Sequence, residues 1–139
     1  MYDITINQSG VIPFFSEDGI IKYVLIRSNM SRTFIFPKGM IEIDMTPQES
    51  AAQEALEEVG LTGTVFENSV GRYHYQKFGL DLSVDLYPFL VENIMETWDE
   101  PWRDRQILDF ETALETIDDR LKNILRQFQP LALKLIQNR

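Results

Sequence analysis

The sequence predicts a domain of the α/β class, with a mixed β-sheet clamped between helices. Three observations support this class: β-type runs open the chain, one helix with clear boundary signals follows, and further β-type runs precede two terminal helices. Elements in this order bury their apolar faces when helices cover a shared sheet. The length of 139 residues suits one domain with a sizeable core, so residues 1–139 are predicted to form a single domain.

Four strands are predicted before the central helix. Their β-type patterns lie at Tyr2–Asn7, Gly10–Phe15, Ile20–Arg27 and Thr33–Phe36. The turn residues Glu-Asp-Gly at 17–19 should join the second and third strands as a hairpin. Residues 28–31 are predicted to form a loop, and the fourth strand leads into the region of the helix.

The central helix is predicted to run from Pro47 to Val59. Thr46 is a suitable N-cap, Pro47 suits the first helical position, and Glu49 completes a capping box three residues after the cap. Gly60 is the expected C-terminal stop. These boundary signals come from local residue types alone.

The chain then returns to strands before it ends in helices. The predicted strands are Thr64–Asn68 continuing into Gly71–Phe78, Leu82–Val91 after a turn, and Gln106–Asp109 after a loop over residues 94–101. Pro88 predicts an edge position or a bulge within its strand. A short helix is predicted at Phe110–Thr116, and Asp118 should cap a longer helix that Pro130 kinks or restarts.

Composition excludes several classes of function. The chain has no cysteine and one histidine, which excludes disulfides, thiolate catalysis and metal sites built from cysteine or several histidines. A net charge of −9 argues against general nucleic-acid binding and against an anionic membrane surface as partner. No apolar run approaches the roughly 20 residues that cross a bilayer. The N-terminal residues lack the pattern of a signal peptide, so we expect a cytoplasmic location.

The helix carries three carboxylates on one flank. At about 100° per residue, Glu54, Glu57 and Glu58 fall within an arc roughly 100° wide. Such charges repel one another unless a cation compensates them. A hard divalent ion such as Mg²⁺ accepts carboxylate oxygens and also binds substrate phosphates. The alternative is a solvated acidic face, which is the usual role of a run of charge.

The same segment resembles the Nudix box, G-x5-E-x7-R-E-U-x-E-E-x-G-U, in which U is a bulky apolar residue. The matching box residues are Gly39, Glu54, Glu57, Glu58, Gly60 and Leu61, and the preceding Phe36-Pro37-Lys38 and the loop residue Glu42 also look like the family. Three positions depart from the pattern: Met45 replaces a glutamate, Gln53 replaces the arginine, and Ala55 is small. We interpret the two charge losses as neutral replacement of a scaffold contact; the alternative is a raised proton affinity of the three glutamates.

The resemblance covers roughly Gly10 to Phe110 and implies an α/β/α sandwich that hydrolyses a diphosphate linked to another moiety. It implies Mg²⁺ or Mn²⁺ as cofactor. By position in the box, Glu54 and Glu58 look like metal ligands, and Glu57 looks like the general base or a further ligand. The backbone carbonyl of Gly39 is implied as an additional metal contact.

Substrate phosphates would need cationic partners. The candidates are Arg27, Lys38, Arg72, Lys77, Arg103 and Arg105. Each has an alternative role, because a lysine or arginine on a strand commonly serves solubility. His74 is interpreted as a surface residue, and Trp98 and Trp102 either stack on a base or cover the edge of the core.

Within the family, the chain looks most similar to diphosphoinositol polyphosphate and dinucleoside polyphosphate hydrolases. The features are Phe-Pro-Lys-Gly at 36–39, Gly-Arg-Tyr-His-Tyr at 71–75, and Trp98 leading to Arg103-x-Arg105. A highly phosphorylated inositol should need a dense basic pocket, and the chain has only 13 lysines and arginines. The sequence therefore favours a nucleotide-type diphosphate.

Three hypotheses remain from the sequence. The first is a Mg²⁺-dependent pyrophosphohydrolase that acts on a small phosphorylated substrate. The second is a Nudix-like module that senses a nucleotide without cleaving it, which Met45 and Gln53 motivate. The third is an interaction domain with an acidic helix face. The sequence leaves a homodimer open.

Overall fold

The computed structural model describes residues 4–138, which form one eight-stranded mixed sheet and three helices. The strands are β1 (Thr5–Glu17), β2 (Ile20–Arg27), β3 (Phe34–Ile35), β4 (Lys38–Met40), β5 (Leu61–Val65), β6 (Gly71–Lys77), β7 (Leu80–Ile94) and β8 (Arg105–Asp109). The helices are α1 (Pro47–Val59), α2 (Phe110–Thr116) and α3 (Asp119–Gln137).

The centre of the sheet is a long parallel pair made by β1 and β7. Their register runs from Thr5 opposite Asp81 to Phe14 opposite Leu90. The other named strand pairs are antiparallel, so the sheet is mixed as predicted. Because neighbouring elements cover both strands, the middle of β1 is fully buried, including Val11, Ile12 and Phe14.

The N-terminal strands differ in part from the prediction. The hairpin through residues 17–19 is confirmed, with Glu17 opposite Ile20. The two separate strands expected at Tyr2–Asn7 and Gly10–Phe15 are instead the continuous β1, and Tyr2 lies outside the described residues. The two predicted strands were separated at residues 8–10 because Gln-Ser-Gly is a weak β-type sequence. In the structure these residues pair with β4 on one side and with β7 on the other.

The strand predicted to continue from residue 64 to residue 78 is two strands. β6 pairs with the first half of β7, from Leu80 to Leu86, and β5 pairs with the second half, from Phe89 to Ile94. Pro88 lies between these two segments, in the interior of the sheet, so the predicted edge position was wrong. The carbonyl of Pro88 accepts a hydrogen bond from the Phe66 amide at 2.9 Å, just beyond the end of β5. A proline is accommodated there because one partner strand gives way to the other.

The helices cover the sheet as an α/β/α sandwich. α1 packs against β1, β4 and β5, while α3 packs against β6 and β1, and α2 packs against β2. The bounds of α1 and α2 match the prediction, and Asp118 caps α3 as expected. The restart expected at Pro130 was wrong, because α3 continues as one helix through that residue; the alternative of a kink stays a prediction. Within residues 4–138, each helix is too short or too polar to span a bilayer.

Candidate functional site

Local capping fixes the start and end of α1 and hence the direction of its carboxylates. The Thr46 hydroxyl accepts from the Glu49 amide at 3.0 Å, and the Glu49 carboxylate accepts from the Thr46 amide at 2.9 Å. Gly60 ends the helix in the left-handed region with a φ of 70°. The flank that carries Glu54 and Glu58 therefore faces β4, which lies immediately before the helix region in sequence.

Glu54 packs directly against the backbone of Gly39. A Cβ atom built on Gly39 would lie 2.3 Å from both Cδ and Oε1 of the Glu54 carboxylate. Real Cβ atoms do not approach other atoms this closely, so the position requires glycine for the present placement of Glu54. The φ of Gly39 is not positive, which means that contact space, and not backbone conformation, sets the requirement.

Glu58 is held from two sides. Its Oε1 accepts from the Lys38 amide at 3.1 Å, and its Oε2 forms an ion pair with Nη1 of Arg103 at 3.0 Å. The Glu58 side chain is only 12% exposed. A carboxylate in this setting has a fixed rotamer, because each oxygen already has one partner.

Glu57 has a neutral partner on its own helix. Nε2 of Gln53 donates to Oε1 of Glu57 at 2.7 Å, one turn away. Gln53 occupies the box position at which the resembled family has arginine. The amide thus keeps a contact to the acidic flank without supplying a charge, and the interpretation of neutral replacement and its alternative both stay predictions.

The flank resists full ionisation. Burial raises the pKa of Glu54 to about 8, with further contributions from the charges of Glu58, Glu57, Glu100 and Glu42. Burial also raises the pKa of Glu58, while the charge of Arg103 and the Lys38 amide act in the opposite direction. Repulsion among the carboxylates, expected from their spacing, is therefore present in the folded chain.

The donor chemistry of this flank fits a hard divalent cation. Carboxylate oxygens suit Mg²⁺ and Mn²⁺. Because Gly39 has no side chain, the Glu54 carboxylate can lie directly against its backbone. Within residues 4–138, however, no three acidic or histidine side chains are already gathered at metal-binding distances. Glu57 contacts Gln53, and Glu58 contacts Arg103. Metal binding at Glu54, Glu57, Glu58 and Gly39 stays a prediction.

A cavity of about 340 Å³ opens beside Glu58. Its walls come from the 28–31 loop, β6, α3 and the approach to β4; the lining residues are Ser28, Asn29, Met30, Ser31, Ile35, Lys38, Glu58, Tyr73, Tyr75, Gln76, Lys77, Arg103 and Arg120. Nζ of Lys38 donates to the Tyr75 hydroxyl at 2.7 Å, which in turn donates to Oε1 of Gln8 at 2.7 Å. The cavity therefore brings a carboxylate of α1 together with cationic and aromatic side chains.

The structure divides the six predicted cations into two groups. Lys38, Lys77 and Arg103 line the cavity, although Arg103 is also paired with Glu58. The other three engage protein partners: Arg27 pairs with Asp104 at 3.2 Å, and Arg72 pairs with Asp85 at 2.7 Å. Arg105 donates to the carbonyls of Val59 and Met95, both at 2.9 Å, and so binds the C-terminal end of α1.

The residues of the cavity wall that sequence reasoning missed include Tyr73, Tyr75 and Arg120. The alternation of β6 offered a signal for the tyrosines, since it places Tyr73, Tyr75 and Lys77 on the face opposite Arg72. Arg120 lies at the start of α3, and its position at the cavity depends on how that helix packs against β6. No local pattern marks it.

The Tyr73 hydroxyl is a buried polar group with no hydrogen-bond partner among residues 4–138. The residue is 6% exposed, and its ring lies 6.2 Å from that of Tyr75 at an interplanar angle of 25°. Burial raises the pKa of this phenol well above its ordinary value. It is therefore a neutral donor in the wall of the cavity.

The two tryptophans have different settings. Trp98 packs against Gly60 and lies under the guanidinium of Arg105, with 4.2 Å from Cζ to the ring centroid. It contacts the C-cap of α1 and Arg105, and the two alternatives proposed for it stay predictions. Trp102 is 70% exposed, and His74 is exposed on its strand.

Fold and site together define a domain in which a capped acidic helix borders a polar, aromatic cavity on a mixed sheet. The family model described as the NUDIX domain matches residues 8–128. The chain therefore belongs to the Nudix family. The match extends beyond the segment expected from the resemblance and includes much of α3.

Relatives agree with this assignment. The chain is similar to Nudix hydrolase 16, mitochondrial, of Arabidopsis thaliana, at 33% identity over 127 residues, covering 78% of this chain and 70% of that protein. Nudix hydrolase 18, mitochondrial, of the same plant is 33% identical over 100 residues, covering 66% of this chain and 56% of that protein. This chain spans about half the length of most of the plant relatives it matches. The expected cytoplasmic location stays a prediction.

Solved structures share the fold. A Caenorhabditis elegans Ap4A hydrolase matches with a TM-score of 0.79 at 18% identity, covering 93% of this chain and 99% of that one. The NUDIX domain of Shewanella oneidensis NrtR, solved with ADP ribose, matches with a TM-score of 0.72 at 12% identity, covering 94% of this chain and 90% of that one. Both matches support the α/β/α sandwich.

Proposed function

We propose that this chain hydrolyses the diphosphate bond of a small phosphorylated substrate with Mg²⁺ or Mn²⁺ as cofactor. One observation carries the proposal: Glu58 of the box helix lines the same cavity as Lys38, Lys77 and Arg120. A diphosphate bound there would have cations for its oxygens and the acidic flank beside it. Membership of the Nudix family supports the same reaction.

The residues of the flank would divide the work. Glu54 and Glu58 would hold the metal, with the Gly39 carbonyl as a further contact, and Glu57 would act as the general base or as another ligand. The bound cation would supply positive charge to the phosphoryl oxygens. Lys38 would hold a substrate oxygen, since the residue lines the cavity and its ammonium donates to the Tyr75 hydroxyl there.

The cavity favours a nucleotide-type substrate over a highly phosphorylated inositol. Among residues 4–138, its cationic side chains are Lys38, Lys77, Arg103 and Arg120; Arg103 already pairs with Glu58, and Arg120 already pairs with Asp118. Tyr73 and Tyr75 add an aromatic wall on which a base or ribose can pack. Two lysines and two paired arginines serve many phosphates poorly but suit a diphosphate.

The test is phosphate release from a panel of substrates with and without Mg²⁺. The panel contains ADP-ribose, diadenosine tetraphosphate, other nucleoside diphosphate derivatives and a diphosphoinositol polyphosphate. We expect turnover of at least one nucleotide substrate that EDTA abolishes. Absence of turnover across the panel, or turnover that is unaffected by EDTA, would contradict the proposal.

Variants of the flank localise the activity. Glu57→Gln and Glu58→Gln remove a charge with little change in shape, and each should lower kcat by at least about 100-fold. Glu115→Gln is the matched control, because that carboxylate is exposed on α2, away from the cavity. Equal activity in all three variants would show that the acidic flank does not catalyse.

The second candidate function is a nucleotide sensor without catalysis. Met45 and the Gln53–Glu57 hydrogen bond favour it, because the flank lacks two charged residues of the box. Calorimetric titration with ADP-ribose distinguishes the candidates: saturable binding without hydrolysis would support the sensor. A plain interaction domain would instead show no saturable binding of Mg²⁺ or Mn²⁺.

A further inference from the structure

Arg103 is the charged residue that the structure buries most deeply beside the acidic flank. The whole residue is 7% exposed and its side chain 5% exposed. Arginine is rarely buried unless its charge is paired. The groups that bind its guanidinium therefore indicate its role.

Each guanidinium nitrogen of Arg103 has a partner in the chain. Nη1 lies 3.0 Å from Oε2 of Glu58 and 3.3 Å from Oε1 of Glu100. Nε and Nη2 donate to the carbonyl of Arg27 at 3.2 and 3.0 Å. One planar group thus joins α1, the loop before β8 and the end of β2.

This geometry changes the interpretation of Arg103. A substrate-binding arginine needs donors that a phosphate can reach. The donors of the Arg103 guanidinium are instead bound to two carboxylates and a carbonyl. Lys38 fixes the other oxygen of Glu58 through its amide at 3.1 Å. Glu58 is consequently aligned by two donors, one from β4 and one from the loop before β8.

The box of this chain lacks its own cation. Gln53 stands at the arginine position and contacts Glu57 through a neutral amide. Arg103 comes from a segment about 50 residues away in sequence and supplies a positive charge to the same flank.

We propose that Arg103 is a positioning residue that aligns Glu58 for metal binding and supplies the charge that Gln53 does not. The proposal rests on the proposed function of the flank. Groups that orient a metal ligand typically change metal affinity 10- to 100-fold when they are removed. Arg103 acts through Glu58 and need not touch the substrate.

The test measures binding of Mn²⁺ alone, from the electron paramagnetic resonance signal of free Mn²⁺, in the purified chain. Arg103→Met should raise the Kd for Mn²⁺ by at least about 10-fold. Arg103→Lys keeps the charge but loses the planar fork, so its Kd should lie between those of wild type and Arg103→Met. Arg103→Lys also carries the test if Arg103→Met does not fold.

Arg105→Met is the matched control for loop anchoring. Arg105 also donates to two backbone carbonyls, but the structure gives it no carboxylate partner among the described residues. This variant should lower the melting temperature while the Kd for Mn²⁺ stays within about twofold. A double-mutant cycle of Arg103→Lys with Glu58→Gln should show coupling, since both changes act on one ion pair.

The outcomes separate the two proposals. If wild type binds no Mn²⁺ and hydrolyses no substrate, the proposed function fails. If wild type binds Mn²⁺ but neither Arg103 variant weakens binding by more than about twofold, the positioning role of Arg103 is wrong. The same holds if Arg105→Met weakens binding as much as Arg103→Met.

Discussion

Replacing Gly39 by alanine tests the packing of Glu54 with the smallest available change. The added Cβ would lie 2.3 Å from Cδ and Oε1 of Glu54, whereas ordinary contacts begin at 3.4 Å. The carboxylate must therefore move by about 1 Å. It can do so by rotating, because the clash involves the end of a flexible side chain and not the backbone.

This movement should damage the site and spare the fold. A displacement of about 1 Å at a catalytic group can cost about 100-fold in rate. We expect Gly39→Ala to lower kcat/KM by about that factor, with a change in unfolding free energy below about 1 kcal/mol. The assays are hydrolysis of the best panel substrate at saturating Mg²⁺ and urea denaturation.

Ser9→Ala is the matched control, because Ser9 lies opposite Gly39 in the β1–β4 pair. Its hydroxyl is buried and has no partner in the described part of the chain, so its removal should be neutral or stabilising and should leave kcat/KM unchanged. If Gly39→Ala keeps wild-type kcat/KM, the Glu54 carboxylate does not need its present position and the reasoning fails.

Three further predictions concern stability. Tyr73→Phe should unfold in urea at the same or a higher midpoint, because the buried hydroxyl has no partner to lose among the described residues; a loss above about 1 kcal/mol would reveal a partner. Pro130→Ala should stabilise the chain by about 1–3 kcal/mol in the same assay, since proline weakens a helix interior; destabilisation would contradict this. Asp118→Ala should cost about 0.5–2 kcal/mol at pH 7, because the side chain caps α3. Hydrogen bonds from Arg120 lower the pKa of Asp118 from 3.8 to about 2, so its stabilisation is present above pH 3.8 and is lost as the pH falls toward 2. The difference between Asp118→Ala and wild type should shrink over that interval, and a constant difference would refute the assignment.

The sequence was most informative where local chemistry decides the structure. The bounds of α1 followed from Thr46, Pro47, Glu49 and Gly60, whose capping contacts all lie within or beside the helix. The spacing of the glutamates then placed them on one flank. Both inferences need only the geometry of a single helix.

The remaining features depended on contacts between distant segments. Arg103 and Arg105 look alike in sequence, yet one pairs with Glu58 and the other binds the end of α1. Likewise, Pro88 is tolerated inside the sheet because β7 changes its partner from β6 to β5 beside it. The sequence around Pro88 does not indicate this change of partner. Tertiary packing, and not the local sequence, decides the contacts of these arginines and of this proline.

The order in which the sheet can assemble follows from its central pair. Thr5 meets Asp81 and Phe14 meets Leu90, so β1 and β7 join segments about 76 positions apart. Bringing β1 and β7 together closes a long loop, which costs conformational entropy. Few native interactions of β1 offset that cost before β7 is available. During synthesis, β1 therefore cannot pair with β7 until β7 has emerged from the ribosome. Nascent chains that end before Asp81 should remain sensitive to protease, and those that extend past Ile94 should begin to resist it.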